Sequence, residues 1–388
     1  MKRFKLGEIC EVVSGTTPKT ACPEYWDGDI DWITPAELSD DTYLIEESIR
    51  KITQQAVLRT GLKPLPKGTV LLSSRAPIGK VAIAGKEMYC NQGFKNLICS
   101  DRVSNVYLYW FLKKNTEYLN SLGRGATFKE ISKSIVENIE IDLPSMDEQI
   151  DRAVTLKKCW DIIALRKQQL TELDIFIKAR FVEMFGNPIE NPKGWKTLSC
   201  RAAASKIGSG ATPRGGRGAY ETEGISLIRS MNVYNNRFEY KDLAHITNEQ
   251  AEKLDNVAIE KKDVLLNITG ASVARCCIVP DKILPARVNQ HVSIIRCKEI
   301  LLPEFVCHML TEDNYQKQLW SIATSSGATR EAITKQQIEE LIFITPPLEL
   351  QNQFAAFVRQ VDKSKIAVQK ALDETQLLFD SLMQQYFG

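Results

Sequence analysis

A chain of 388 residues, 44% hydrophobic and 25% charged, is too long for one ordinary domain and has the balance of a folded globular protein, which excludes disordered and fibrous classes. Its formal net charge of +2 excludes a uniformly basic nucleic-acid binder, so any positive surface is local, offset by acidic surface or shared with partner subunits. Ten cysteines without a Cys-x-x-Cys pair, no apolar run near the roughly 18 residues of a membrane span, and an N-terminus without a signal-peptide core predict a cytoplasmic protein with buried free thiols.

The predicted elements occur in one order and then recur. A short strand leads into the turn Ser14-Gly15-Thr16-Thr17-Pro18-Lys19. A β-rich middle follows, including Gly68–Ser73 and Val81–Ala84, then a short helix over Val106–Leu112. A Gly125-Ala126-Thr127 loop precedes the strand Ile139–Leu143, closed by Pro144. The second round begins at Ser209-Gly210-Ala211-Thr212-Pro213-Arg214, offset by 195. Val264-Leu265-Leu266 repeats Val70-Leu71-Leu72 at 194, and Asn289-Gln290 repeats Asn91-Gln92 at 198, as Cys297 repeats Cys99. Gly327-Ala328-Thr329, Pro346, Gln351 and Phe387-Gly388 repeat Gly125-Ala126-Thr127, Pro144, Gln149 and Phe185-Gly186 at a constant 202.

The drift is what short loop insertions produce. The constant offset at the end of each round marks a segment that tolerates no insertion, because one extra residue turns a helix by about 100°. In the second copy Leu350, Phe354, Phe357, Val361, Val368, Leu372, Phe379, Leu382 and Tyr386 keep one heptad register, interrupted at Lys365 and Thr375. In the first, Leu156, Trp160, Ile163, Leu170, Leu173, Ile177, Phe181 and Met184 fall mostly three or four apart. Each helix of about 37 residues spans about 55 Å. The expected architecture is two tandem α/β (α+β) domains joined by two long antiparallel coiled-coil helices, with pseudo-two-fold symmetry.

A duplicated domain related by a two-fold suits the two-folds of duplex DNA. The candidate contact loops of the first copy hold Thr16, Thr17 and Lys19, then Ser74, Arg75 and Lys80, Asn91, Gln92 and Lys95, and Arg124, Thr127 and Lys129. Those of the second hold Thr212, Arg214 and Arg217, then Arg229, Asn232, Asn236 and Arg237, Asn267, Thr269 and Arg275, Asn289 and Gln290, and Thr329 and Arg330. Hydroxyls and cations hold phosphates, glycines let backbone N–H groups approach, and Asn, Gln and Arg bond bidentately to base edges. The positions stay polar while the residues differ, as two readers of different half-sites require.

Enzyme signatures do not appear. Gly208-Ser209-Gly210 opens like a dinucleotide fingerprint, but Pro213 stands where the third glycine belongs. Gly79-Lys80 lacks the rest of a phosphate loop, no Asn/Asp-Pro-Pro-aromatic tetrapeptide occurs, and no suitable carboxylate precedes Glu260-Lys261-Lys262. The reading is a non-catalytic chain without a metal or cofactor of its own. The competing readings are a self-contained methyltransferase or nuclease, for which no length remains, and a protein-interaction scaffold with coiled-coil helices and no direct DNA role.

Taken together, the repeated Ser-Gly-x-Thr-Pro-basic turns, the Asn-Gln pairs, the Gly-Ala-Thr loops and the Pro-to-Gln entries into the helices resemble the specificity subunit of type I restriction–modification systems, over essentially the whole chain. The resemblance implies target-recognition domains at 1–145 and 188–346 and conserved helical regions at 146–187 and 347–388. It further implies that each domain reads part of a split asymmetric site, and that the helices set the spacer and dock two methyltransferase subunits. Restriction–translocase subunits complete the complex, and S-adenosylmethionine, ATP and Mg²⁺ belong to those partners. One departure from the family's pattern is expected: the chain opens directly in the first recognition domain, without an added conserved segment to complete the helical bundle.

Overall fold

A computed structural model describes residues 2–125, 129–213, 216–325 and 331–388, the side chains of Arg217 and Ala219 aside. The chain divides into two compact units, Met1–Lys167 with Lys370–Gly388, and Gln168–Gln369, so the division crosses both long helices.

In the first unit the apolar run Val70–Leu72 is buried on both faces and lies mid-sheet, where such a run belongs. It pairs antiparallel with Val81–Ala84 on one side and Lys95–Cys99 on the other. Cys10–Ser14 pairs beyond Lys95–Cys99, and Leu44–Ile45 adds a parallel edge to Val81–Ala84. Trp26–Ile33 centres a smaller sheet between Lys51–Ile52 and Tyr89–Cys90. Lys2–Lys5 closes on Glu140–Leu143.

The second unit repeats the plan. Val264–Asn267 lies between Cys276–Ile278 and Val292–Cys297, with Ala204–Ser209 beyond. Ile225–Ile228 lies between Ala244–Ile246 and Ala286–Val288, and Thr197–Ser199 closes on Ile342–Ile344. Strand alternation divides the apolar residues between two cores. Val264, Leu266 and Cys276 join the core that contains Phe181, Phe305 and Phe354, whereas Leu265 and Cys277 join the core with Leu227, Val257 and Val288. The adjacent cysteines therefore face opposite ways. All ten cysteines are free, seven of them buried and three partly so.

The long helices run Met146–Phe185 and Leu348–Phe387, 40 residues each, three more than the heptad count gave. In the first unit Trp160 stands 5.7 Å from Phe379 and Arg152 lies 4.9 Å over Tyr386. In the second unit Phe176 stands 5.1 Å from Phe357 and Phe181 5.5 Å from Phe354. Within each unit numbers rise along one helix as they fall along the other, so the pairing is antiparallel. All nine heptad positions of the second helix are buried or half-buried. The interruption at Lys365 has a partner, since its ammonium lies 2.6 Å from Asp174. Among the described residues, no helix is long and apolar enough to cross a membrane.

The repeated glutamines have one task each, and it is the same task. Gln149 is buried; its Oε1 accepts the Ser104 N–H at 3.0 Å, and its Nε2 donates to the Arg102 and Pro144 carbonyls at 3.2 Å each. Gln351, also buried, accepts from Leu302 N–H at 2.8 Å and donates to Ile300 and Pro346 carbonyls at 3.1 and 2.8 Å. Each amide satisfies three backbone groups and ties the first turn of a long helix to the segment that starts Asn105–Lys114 or Pro303–Leu310. Replacing Gln351 by Leu strands those groups out of water and is expected to cost about 3 kcal/mol. Gln149→Leu costs a similar amount, and urea unfolding of either variant with a loss below about 1 kcal/mol contradicts the clamp.

Candidate nucleic-acid interface

In the first unit four segments that are distant in sequence meet. Gly15 donates its N–H to Phe94 O at 3.3 Å, and Thr16 N–H donates to Cys90 O at 2.9 Å. A Cβ on Gly15 would lie 1.8 Å from Asn91 O, so only glycine permits the approach. Thr17 then donates its hydroxyl proton to Gln92 Oε1, and Asn91 Oδ1 accepts the Gly93 N–H at 2.9 Å. Ser74 joins through its N–H to Gly93 O at 2.7 Å, and Ile131 N–H donates to Ser74 O at 2.9 Å.

Charge gathers at the centre of this cluster. Glu130 takes Lys95 Nζ at 3.1 Å and Arg75 Nε at 3.0 Å, while its backbone exchanges two 3.0 Å bonds with Arg124. Burial pushes the Glu130 carboxyl up, but the bonds from Lys95 and Arg75 more than reverse this and hold it below the ordinary carboxylate range. Thr16, Lys19, Arg75, Gln92, Arg124 and Lys129 stay exposed around it, with Thr17 and Asn91 half-exposed.

The second unit builds the same cluster from different residues. Gly210 donates to Asn289 O at 3.1 Å, and a Cβ there would lie 1.8 Å from Val288 O. Thr212 donates to Gln290 Oε1, the counterpart of the Thr17–Gln92 bond. Asn289 Oδ1 accepts the His291 N–H at 3.0 Å, as Asn91 does for Gly93. Here a histidine takes the glycine's place and extends the chain of bonds, with Gln290 Nε2 3.2 Å from His291 Nε2 and Thr269 Oγ1 2.6 Å from His291 Nδ1. Thr269 also bridges to Ala332, at the position of Glu130. Gln290 is exposed; Thr212, Thr269 and Arg275 are half-buried, and the Arg275 guanidinium lies 4.4 Å over Tyr234.

Several sequence candidates face inward instead. Ser74, Lys95, Asn232, Asn267 and Asn289 are buried, and each bonds within the fold through at least one side-chain polar atom, Asn267 Oδ1 having no partner among the described residues. Ser74 Oγ lies 3.0 Å from Gly93 O, and Asn267 Nδ2 donates to Ser230 O at 2.9 Å. Asn232 accepts from Arg229 N–H at 3.1 Å and donates to Glu239 O at 2.9 Å, a helix-capping role. The Lys80 ammonium donates to Leu38 O, and Arg229 donates to Asp242 O. Asn236, in the left-handed turn of the hairpin Val233–Phe238, donates to Thr311 Oγ1 at 2.9 Å. With Arg237 it borders a cavity that the long helices also line, away from the grouping expected from sequence. The turn glycines Gly15 and Gly210 donate their N–H groups to carbonyls of neighbouring loops. Thr127, Arg214, Thr329, Arg330 and the Arg217 side chain lie outside the described residues.

One central residue escaped the sequence reading. Glu130 adjoins the candidate Lys129, but only the fold brings it between Arg75 and Lys95. His291, by contrast, follows the Asn-Gln pair, the one sequence signal that marks it.

The sequence matches the profile of the type I restriction modification DNA specificity domain twice, over residues 1–174 and 194–375. The type I restriction enzyme MjaIX specificity subunit of Methanocaldococcus jannaschii is 31% identical, over 98% of this chain and 90% of that protein. The MjaVIII specificity subunit of the same organism is 20% identical over 95% and 89%. Among solved structures, a type I restriction–modification S subunit from M. genitalium aligns with TM-score 0.60 at 14% identity, covering 100% of this chain and 96% of that one. A chain from a structural study of complex assembly and conformational transition in a type I system aligns at 0.59 with 17% identity, covering 100% and 97%. With the duplicated fold and its paired loop clusters, these matches establish that the chain belongs to the specificity-subunit family of type I restriction–modification systems.

Proposed function

We infer that each loop cluster reads one half of a split, asymmetric DNA site, and that the chain acts as a non-catalytic recognition subunit. One observation carries this reading. The two clusters share a framework, the glycine approach and the Thr–Gln bond, but differ in the side chains set upon it. Shared parts suit what all duplex DNA has in common, the phosphate backbone, and differing parts suit base edges. Arg75, Lys95 and Glu130 occupy positions held in the second copy by Thr269, Ser293 and Ala332, so the first cluster is charged where the second is neutral.

Methyltransferase subunits, two per chain, and restriction–translocase subunits are the partners this role needs, and S-adenosylmethionine, ATP and Mg²⁺ are assigned to them. The long helices supply a docking surface in duplicate. Ile175 and Phe176 of the first are 59% and 53% exposed, and Leu377 and Leu378 of the second are 72% and 51% exposed. These pairs stand at the repeat offset of 202, one apolar pair per copy. The half-sites' separation is assigned to helix length.

Three outcomes are expected. Exchanging residues 1–145 for those of another family member changes one half-site of the host's methylated motif and leaves the other; methylome sequencing reads this, and a change in both refutes the division. Inserting four residues, about one turn and 6 Å, between 160 and 180 lengthens the spacer with both half-sites kept, and altered half-sites at an unchanged spacer overturn the ruler. Phe176→Asp with Ile175→Asp lowers the methyltransferase content from two copies to one by native mass spectrometry, as does the Leu377→Asp, Leu378→Asp pair. An unchanged content removes these faces from the docking surface.

A further inference from the structure

The duplication exposes a site by contrast within one molecule. In the first unit the contact between the short helix Asn105–Lys114 and the long helices is filled with rings. Trp110 stands 5.7 Å from Trp160, 5.6 Å from Phe379 and 4.8 Å from Tyr109, and Trp160 stands 5.7 Å from Phe379. The Lys113 ammonium lies 4.6 Å over the Trp160 ring. The repeat offsets, 198 through the short helix and 202 through the long ones, carry these five residues onto the second copy. Tyr109 becomes Cys307, Trp110 becomes His308, Lys113 becomes Thr311, Trp160 becomes Asp362, and Phe379 becomes Ile177. All five replacements line one cavity of about 450 Å³ within the second unit. The space that one copy fills with aromatic side chains is left open in the other, and it is of a size that holds small molecules.

The walls select among ligands. Ile177, Ile278 and Val358 provide apolar surface. The His308 ring stands edge-on to Phe354 at 5.2 Å and has no hydrogen-bond partner among the described residues. Burial pushes its imidazole down to about 4, so at neutral pH it offers one N–H and one lone pair. Asn236 is already spent, donating to Thr311 Oγ1 at 2.9 Å and accepting from the Cys307 thiol at 3.2 Å, which fixes that wall. Asp174, Glu304 and Asp362 share the wall with Lys178, Arg237, Arg359 and Lys365, but Lys178 is held by Asp313 and Arg237 by Glu239, both off the lining, so the remaining signs favour neither an anion nor a cation strongly. A plain hydrocarbon ring leaves the His308 ring unpaired, while Asp362, 3.8 Å from the Lys365 ammonium, keeps carboxylate lone pairs that can accept a further N–H.

We propose that this cavity binds a small, neutral, planar nitrogen heterocycle of the purine or indole class, held by ring-nitrogen hydrogen bonds to His308 and Asp362 between the apolar walls. The ligand stands where the first copy places its own indole rings. This assignment is independent of how the loop clusters read DNA.

Adenine and indole are the probes, added to the full chain and followed by titration calorimetry and thermal unfolding. One molecule of at least one probe is expected to bind per chain and to raise the Tm. His308→Trp and Asp362→Trp restore the residues of the first copy; each is expected to weaken binding about tenfold or more, and to leave the ligand-free Tm at or above that of the parent as the ring refills the space. Should His308→Trp fail to fold, Ile177→Phe, the counterpart of Phe379, supplies the same test from the apolar wall. The proposal is overturned if neither probe binds the parent chain at millimolar concentration, or if binding persists unchanged in Asp362→Trp and Ile177→Phe.

Discussion

One buried amide in each copy holds the architecture together. Gln149 and Gln351 sit at the entrance of the long helices, where each satisfies one N–H and two carbonyls of flanking segments. A glutamine side chain there has no water to fall back on, so the alternative to these bonds is a set of stranded backbone groups. The bond set fixes the direction in which each helix leaves its recognition fold. The offset stays at 202 from there to Phe387, because the helix has no loop in which to absorb an insertion.

Upstream of the clamp the constraint is looser, and the two copies use the freedom differently. The sheet cores keep their order, and the glycine approaches at Gly15 and Gly210 keep two loops within contact distance. On that frame the first copy sets a carboxylate between two cations, while the second sets a chain of bonds from Thr212 through Gln290 and His291 to Thr269. A framework that tolerates such exchange at its surface without repacking its core is what a reader of many sequences needs. The aromatic contact of Trp110, Trp160 and Phe379 and the cavity around His308 extend the same divergence beneath the surface.

Periodicity and repetition made much of this legible in advance. The duplication, the antiparallel long helices and the strands at Val70–Leu72 and Val264–Asn267 follow from patterns that local physics enforces. Residue type and offset predict these because helix and strand periods are properties of the backbone. Burial of individual polar side chains is a different matter. Ser74, Lys95, Asn232, Asn267 and Asn289 read as contact residues in the sequence, and each lies inside. A polar residue in a loop satisfies a backbone group or meets solvent with equal ease as far as its neighbours in the chain are concerned.

The decision between those fates comes from residues far away in sequence. Lys95 is internal because Glu130, 35 positions on, reaches it, and Asn236 faces Thr311, 75 positions on. The hollow around His308 needs both long helices, the helix Pro303–Leu310, the hairpin Val233–Phe238 and the strand Cys276–Ile278 to be brought together before the loss of two indoles can be seen as a space. Order, repetition and helix length were therefore written in the chain itself, as consequences of backbone period. Which polar atoms are free, which charges are paired and where the packing is left open were settled only by long-range contact, because hydrogen bonds and cavities belong to neighbours in space.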